Sequence, residues 1–290
     1  MSANATPGRR EKGKTQNRTT FFPRFIAVVL ILLAFVGFLF YLLQPVTFTY
    51  RGMTMEAVPG VAVNRYDPDG FYTDEKGRVQ YTSKGASARA GIDVSYSQGD
   101  IDWAAVAADG VDFAIIRLGY RGYTQGAIQT DSCFYQNIQG ALDAGLDVGV
   151  YFFSQAITPE EARQEADYVL SLLESYPITC PVVYDWEPIT FAEGARTDQL
   201  ENEVLTQCAA AFCQQIAQAG YTPAVYFNQE MGYFSFDLKE LSPFQFWLAE
   251  YDSYPSFYYG FTMWQYTHEG RVDGIQTPVD WNLDFSGLKR

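Results

Sequence analysis

Val182-Val183-Tyr184-Asp185-Trp186-Glu187 is a short apolar run that ends in two acids one residue apart. It lacks polar alternation, the pattern of a strand buried on both faces beneath helices. Seven other runs read the same way: Gly91–Val94, Phe113–Leu118, Val148–Phe153, Ala224–Phe227, Phe246–Ala249, Phe261–Gln265 and Val279–Leu283. The first five strands alternate with helical patterns. Thr158-Pro159-Glu160-Glu161 is a capping box with proline at the first helical position, followed by Ala162, Ala166, Val169, Leu170 and Leu173 on one apolar face. Leu200, Val204, Cys208, Phe212 and Ile216 repeat at i+4 steps and stop before Gly220. The last three strands follow one another too closely for full helices. An α/β fold is therefore expected, a compact and incomplete (β/α) barrel. A doubly wound open sheet is the alternative, but no G-x-G-x-x-G opens a helix, which weakens a dinucleotide site.

In a (β/α) barrel, chemistry sits at the C-terminal ends of the strands. Asp93 ends the first run, Asp185 and Glu187 the fourth, and Asp280 lies in the last. Residues i and i+2 of a strand share a face, their Cα atoms roughly 6.5 Å apart. Two carboxylates that close cannot both ionise freely, so one pKa is expected to rise. A protonated acid can then donate to a glycosidic oxygen while an ionised neighbour stabilises the developing cation. Glu187 has the longer reach and is assigned the acid. Two solvated acids, or a Ca²⁺ or Mg²⁺ site, are the competing readings.

Aromatic residues crowd the same strand ends: Tyr151 and Phe153, Tyr184, Tyr226, Trp247 and Tyr251, and Trp264 with Tyr266. Rings of this kind stack on sugars, although core packing claims many of them. Asn228 and Gln265 are candidates to bind hydroxyl or acetamido groups. The single histidine, His268, rules out H-E-x-x-H and three-histidine metal centres and is expected to be an exposed, non-catalytic residue. No cofactor and no metal is expected. With 20 basic and 34 acidic residues the net charge is −14, which disfavours nucleic acid as a partner.

The charge is uneven. Residues 1–24 carry a net +5, leaving the rest at −19. Phe25 to Leu43 is then free of charge for 19 residues, enough helix for about one hydrocarbon core. The expected organisation is a basic cytoplasmic tail (1–24), an uncleaved transmembrane anchor (25–43), an extracellular stalk with a possible hairpin (44–90) and a catalytic domain (91–290). Of the four cysteines, Cys208 and Cys213 point apart on one helix. A Cys133–Cys180 bond and buried free thiols both remain open.

Between residues 91 and 284 the chain resembles the family 25 glycoside hydrolases, the muramidase-type lysozymes. The matching stretches run in order: Gly91-Ile92-Asp93-Val94-Ser95, Gly99-Asp100-Ile101-Asp102-Trp103, Ile116-Arg117-Leu118-Gly119-Tyr120-Arg121-Gly122, Asp131 with Phe134 and Asn137, Val148–Ser154, Asp185-Trp186-Glu187, Trp247-Leu248-Ala249 with Tyr251, Trp264-Gln265-Tyr266 and Val279-Asp280-Trp281-Asn282. The resemblance implies a flattened barrel of five β/α units plus three strands. It also implies hydrolysis of the β-1,4 bond between N-acetylmuramic acid and N-acetylglucosamine in peptidoglycan glycan strands. It makes Glu187 the acid/base and matches Asp93, Asp185 and Asp280 to the other active-site acids. Whether the substrate acetamido group or a carboxylate attacks stays open. A non-catalytic glycan-binding or scaffold protein on the same barrel is the alternative function, and a glycosidase of different specificity a third.

Overall fold

The structure, a computed structural model, describes residues 1–2, 21–42 and 44–288. Most of the expected basic tail, and Leu43, lie outside the described residues. The chain divides into two compact units, Met1–Ala57 and Val58–Arg290.

The first unit holds helix α1 (Phe21–Leu42) and a hairpin of β1 (Thr47–Tyr50) and β2 (Met53–Glu56), paired antiparallel from Thr47↔Glu56 to Tyr50↔Met53. Arg51 and Gly52 turn it with positive φ. The expected anchor falls on α1, and the large apolar side chains from Phe25 to Phe38 are exposed. Among the described residues, however, no helix is long and apolar enough to cross a membrane.

The second unit begins with a small antiparallel sheet, β3 (Phe71–Thr73), β4 (Val79–Ser83) and β5 (Ala86–Ser87). There follow β6 (Arg89–Val94), α2 (Trp103–Ala108), β7 (Phe113–Arg121), β8 (Ile128–Thr130), α3 (Phe134–Asp143), β9 (Asp147–Phe153), α4 (Pro159–Leu173), β10 (Val182–Asp185), α5 (Asn202–Gln218), β11 (Pro223–Asn228), α6 (Gln229–Phe234), α7 (Leu238–Leu241), β12 (Gln245–Ala249), β13 (Met263–Gly270) and β14 (Val279–Asp284).

Eight of these strands close a ring in the order β6-β14-β13-β12-β11-β10-β9-β7, with β7 returning to β6 and β8 hanging on β7. The pairings from β6 through β7 and on to β13 are parallel, and β14 closes the ring antiparallel to both neighbours. This corrects the expected incomplete (β/α) barrel, for the strands close a full ring. A β/α description does not cover the whole barrel, and it stops where the spacing of the last three strands leaves no room for full helices. Only the short α6 and α7 separate β11 from β12, and no helix separates β12 from β13 or β13 from β14.

The alternation that a buried strand hides in sequence is visible in the packing. Phe113, Ile115, Val183, Ala224, Tyr226, Trp247 and Met263 share one interior cluster, with Tyr151 against it. The opposite faces meet helices: Phe152 packs on Tyr168 of α4, and Tyr184 on Phe212 of α5. Gly91 is required inside, because a Cβ there would sit 2.4 Å from the Phe113 ring. Helix α4 starts as its sequence dictates. The Thr158 hydroxyl accepts from the Glu161 amide, and the Glu161 carboxylate accepts from the Ile157 amide. All four cysteines are free thiols, three of them buried.

Residues 58–88, assigned to the stalk by sequence, instead cover the flank of the barrel that lacks helices. Tyr66 stacks on Phe285 at 4.2 Å and donates its hydroxyl to the Phe261 carbonyl. Phe71 sets an edge against Trp264 at 5.5 Å. Further along, the Arg78 guanidinium lies 4.3 Å over the Trp281 ring, and both Lys76 and Arg78 pair with Asp109. Those two cations outweigh the burial of Asp109 and hold its carboxyl down at about 2. An aromatic layer thus does for β13 and β14 what helices do elsewhere, and the globular unit begins near Val58.

Candidate active site

Asp93 and Asp280 face each other directly in the β6–β14 register. Asp185 is the last residue of β10, and Glu187 lies two residues beyond it. Asp93 is held by two amide donors on one oxygen, Oδ2: Gln265 Nε2 at 2.9 Å and Asn282 Nδ2 at 2.8 Å. Both donors are themselves oriented. Trp247 Nε1 donates to Asn282 Oδ1 at 2.8 Å, and the hydroxyls of Tyr226 and Tyr251 donate to Gln265 Oε1 at 3.0 and 3.1 Å. With its acceptor occupied, each amide can only present NH₂ to Asp93, which fixes the carboxylate in place.

All four acids are pushed above their ordinary range. Burial is the first cause in each case, and Asp93 raises the other three by its charge. Asp280 is pushed up to about 8. Asp93 reaches about 6, because the Asn282 and Gln265 donors oppose its burial. Asp185 stands well above the carboxylate range, raised by burial and then by Glu187 and Asp93, and lowered by Arg117. Its Oδ1 is buried without a hydrogen-bond partner. Sequence reasoning expects one acid of the Asp185–Glu187 pair to rise, and both do. These mutual influences require the four carboxylates to share one neighbourhood, although their residues come from three separate strands.

The proposed sugar-binding aromatics separate into two groups. Tyr151, Tyr226 and Trp247 line the interior beneath the acids, with Trp247 edge-on to Tyr226 at 4.9 Å and buried as a floor. Phe153, half-buried, shares the strand face of Tyr151. Tyr251 is 51% exposed at the rim, and Gln265 lies beneath it. Tyr184 and Trp264 are misassigned. Each points out of the barrel, Tyr184 into α5 and Trp264 towards Phe71, with its Nε1 on the Glu250 carbonyl. Strand parity is the reason: each is one residue out of phase with an inward neighbour, Val183 and Met263 respectively. Asn228 uses its Oδ1 to cap α6 through the Met231 amide. His268 is exposed, its ring against Tyr251.

Sequence reasoning missed the support behind Asp185 and Glu187. The Ser154 amide donates to the Asp185 carbonyl at 2.7 Å, and Gln155 Nε2 donates to the Glu187 carbonyl at 3.0 Å. Gln155 Oε1 accepts from Thr197, and Ser154 Oγ donates to Glu165, which also pairs with Arg121 at 2.6 Å. Glu165 is fully buried, and burial pushes it up to about 7 against the pull of Ser154 and Arg121. A signal for it exists: Glu165 falls within the apolar stripe of Ala162, Ala166 and Val169, where a carboxylate must have a buried partner. Arg117, tied to Asp131 through Nε at 2.7 Å, brings a cation within range of Asp185.

The arrangement can supply a proton from one carboxyl group and face a developing cation with others. Among the described residues, no group of His, Cys, Asp and Glu is arranged to hold a metal ion.

The model of the glycosyl hydrolases family 25 matches residues 92–275. Lysozyme M1 of Streptomyces globisporus is 30% identical over 210 residues, covering 68% of this chain and 67% of its own. The autolytic lysozyme of Clostridium acetobutylicum is 28% identical over 199 residues, covering 68% of this chain and 56% of its own. The modular autolysin LytC of Streptococcus pneumoniae superimposes with a TM-score of 0.58 at 25% identity, over 74% of this chain and 52% of its own. The alignments thus span between about half and two thirds of these relatives' lengths. The chain belongs to family 25 of the glycosyl hydrolases and is a glycosidase.

Proposed function

We propose that this protein is a peptidoglycan hydrolase that cleaves the β-1,4 bond between N-acetylmuramic acid and N-acetylglucosamine, with Glu187 as general acid and base. The observation that carries the reading is the gathering of Asp93, Asp185, Glu187 and Asp280 at one barrel mouth, each with a raised pKa. Glu187 is the least enclosed of the Asp185–Glu187 pair and extends past the strand end. In this mechanism it gives its proton to the bridging oxygen as the C1–O bond breaks. The cation growing at the sugar carbon then faces Asp93, whose ionised form the Asn282 and Gln265 amides favour, with Asp185 and Asp280 beside it. Water returns the proton to Glu187 when it completes the hydrolysis. The lysozyme relatives support the choice of substrate.

Glu187→Gln is nearly isosteric and removes the transferable proton. Release of reducing ends from purified peptidoglycan should fall by ~100-fold or more at unchanged thermal stability. Retained activity would move the acid elsewhere. Mass analysis of the products should find muramic acid at the new reducing end, and N-acetylglucosamine there would refute the assigned bond.

In the same proposal the uncharged stretch from Phe25 to Leu43 anchors the chain in the cell membrane, with the basic segment cytoplasmic and the glycosidase outside. Protease added to intact cells should then digest the C-terminal unit. Its protection would reverse the topology.

A further inference from the structure

A groove of about 550 Å³ runs beside the barrel mouth, and nothing above assigns it an occupant. One wall is the tip of the β3–β4 hairpin, with Lys76 and Arg78. The other is the rim and outer face of the late strands, with Tyr251, Tyr266, Arg271 and Trp281. Its size is that of a site for a small ligand. The hairpin lies outside residues 92–275, which match the family.

Two features decide what fits. The first is continuity with the acids. Tyr251 lines the groove and donates to Gln265, which holds Asp93, and Asp280 and Asp93 both act on the Tyr251 hydroxyl. Besides Tyr251 the groove is lined by the outward-facing Tyr266 and Trp281, and none of the four acids of the mouth lines it. A glycan strand threading the mouth would not follow it, whereas a branch leaving that strand would. The second is charge. Lys76 is exposed on the hairpin wall, and Asp252, Glu269 and Arg271 are exposed on the wall of the late strands, so both signs of charge line the groove beside its aromatic residues. A neutral sugar does not call for that pattern, and a polyanion would be repelled by half of it.

We propose that this groove binds the peptide branch carried by the muramic acid residue, a chain with free carboxylates and amines. The inference rests on the peptidoglycan reading above and names a second recognition element of that substrate. Arg271 receives a peptide carboxylate, and the exposed acids receive an amine. The hairpin then makes the enzyme sense whether its glycan is substituted.

The test compares intact peptidoglycan glycan strands with the same strands stripped of peptide by an amidase, using the full-length protein. Wild type should show a KM about fivefold lower on the peptide-bearing strands, the yield of one or two exposed charge contacts. Arg271→Glu reverses the charge, and Ser253→Trp fills the space. In each, the ratio of the two KM values should fall to about one, with folding checked by thermal melting. Equal KM values in wild type, or a preference that survives both substitutions, overturns this inference alone. Failure to release reducing ends from either substrate overturns it together with the peptidoglycan reading.

Discussion

Gln265 offers a direct test of how the barrel sets the ionisation of Asp93. Gln265→Met keeps the length of the side chain and deletes the Nε2–H that reaches Asp93 Oδ2 at 2.9 Å. Burial is the largest influence on Asp93, and the Asn282 and Gln265 donors are the side chains that oppose it. A hydrogen bond to a charged group contributes ~1.5–3 kcal/mol, and one pKa unit corresponds to about 1.36 kcal/mol. Losing one of the two donors should therefore raise Asp93 from about 6 by roughly one to two units. The sign is fixed, since the deleted contact favours only the ionised form. Carboxyl-carbon NMR of aspartate-labelled protein, titrated between acid and mildly alkaline pH, would follow the midpoint. The rising limb of the pH–rate profile should move up with it. An Asp93 midpoint unchanged from wild type would mean that the amide cage is packing and not electrostatic control, and the account of the site would fail there.

Three further outcomes follow from the same geometry. Arg121→Leu leaves the fully buried Glu165 without its cation and should cost ~3–5 kcal/mol in denaturant unfolding; a change below 1 kcal/mol, by the same scale, would show the pair to be dispensable. Gly91→Ala should destabilise by ~1–3 kcal/mol, because its new methyl meets the Phe113 ring at 2.4 Å, and an unchanged melting temperature would contradict the tight interior. Stability should fall as pH rises from about 4 to 8. Asp93, Glu165 and Asp280 keep protons in the folded state up to about 6, 7 and 8, while the unfolded chain has released them near 4, so folding takes up protons throughout that window. A higher melting temperature at pH 8 than at pH 5 would refute the raised pKa values.

Hydrophobic runs and the positions of acids within them were enough to count the eight barrel strands, and Asp93, Asp185, Glu187 and Asp280 were legible as strand-end carboxylates. Both follow from local rules. A buried strand must be apolar along its length, and an acid at its end must have a reason to be there. Strand parity was less accessible, because runs such as Val182-Val183-Tyr184 are apolar on both faces. Tyr184 and Trp264 therefore read from sequence as mouth residues, and both point away from it. The support from Ser154, Gln155 and Glu165 was hidden by distance, since a hydrogen bond from residue 155 to residue 187 leaves no periodicity in the chain.

The α/β class of the fold, the acidic character of the site and the family are all written in composition, spacing and motif. That the ring closes antiparallel, that residues 58–88 cover its bare flank, and that burial and the charge of Asp93 raise the other three acids are outcomes of the tertiary structure. Those outcomes depend on which surfaces remain uncovered once the barrel has formed, and on charges brought together from residues nearly two hundred positions apart.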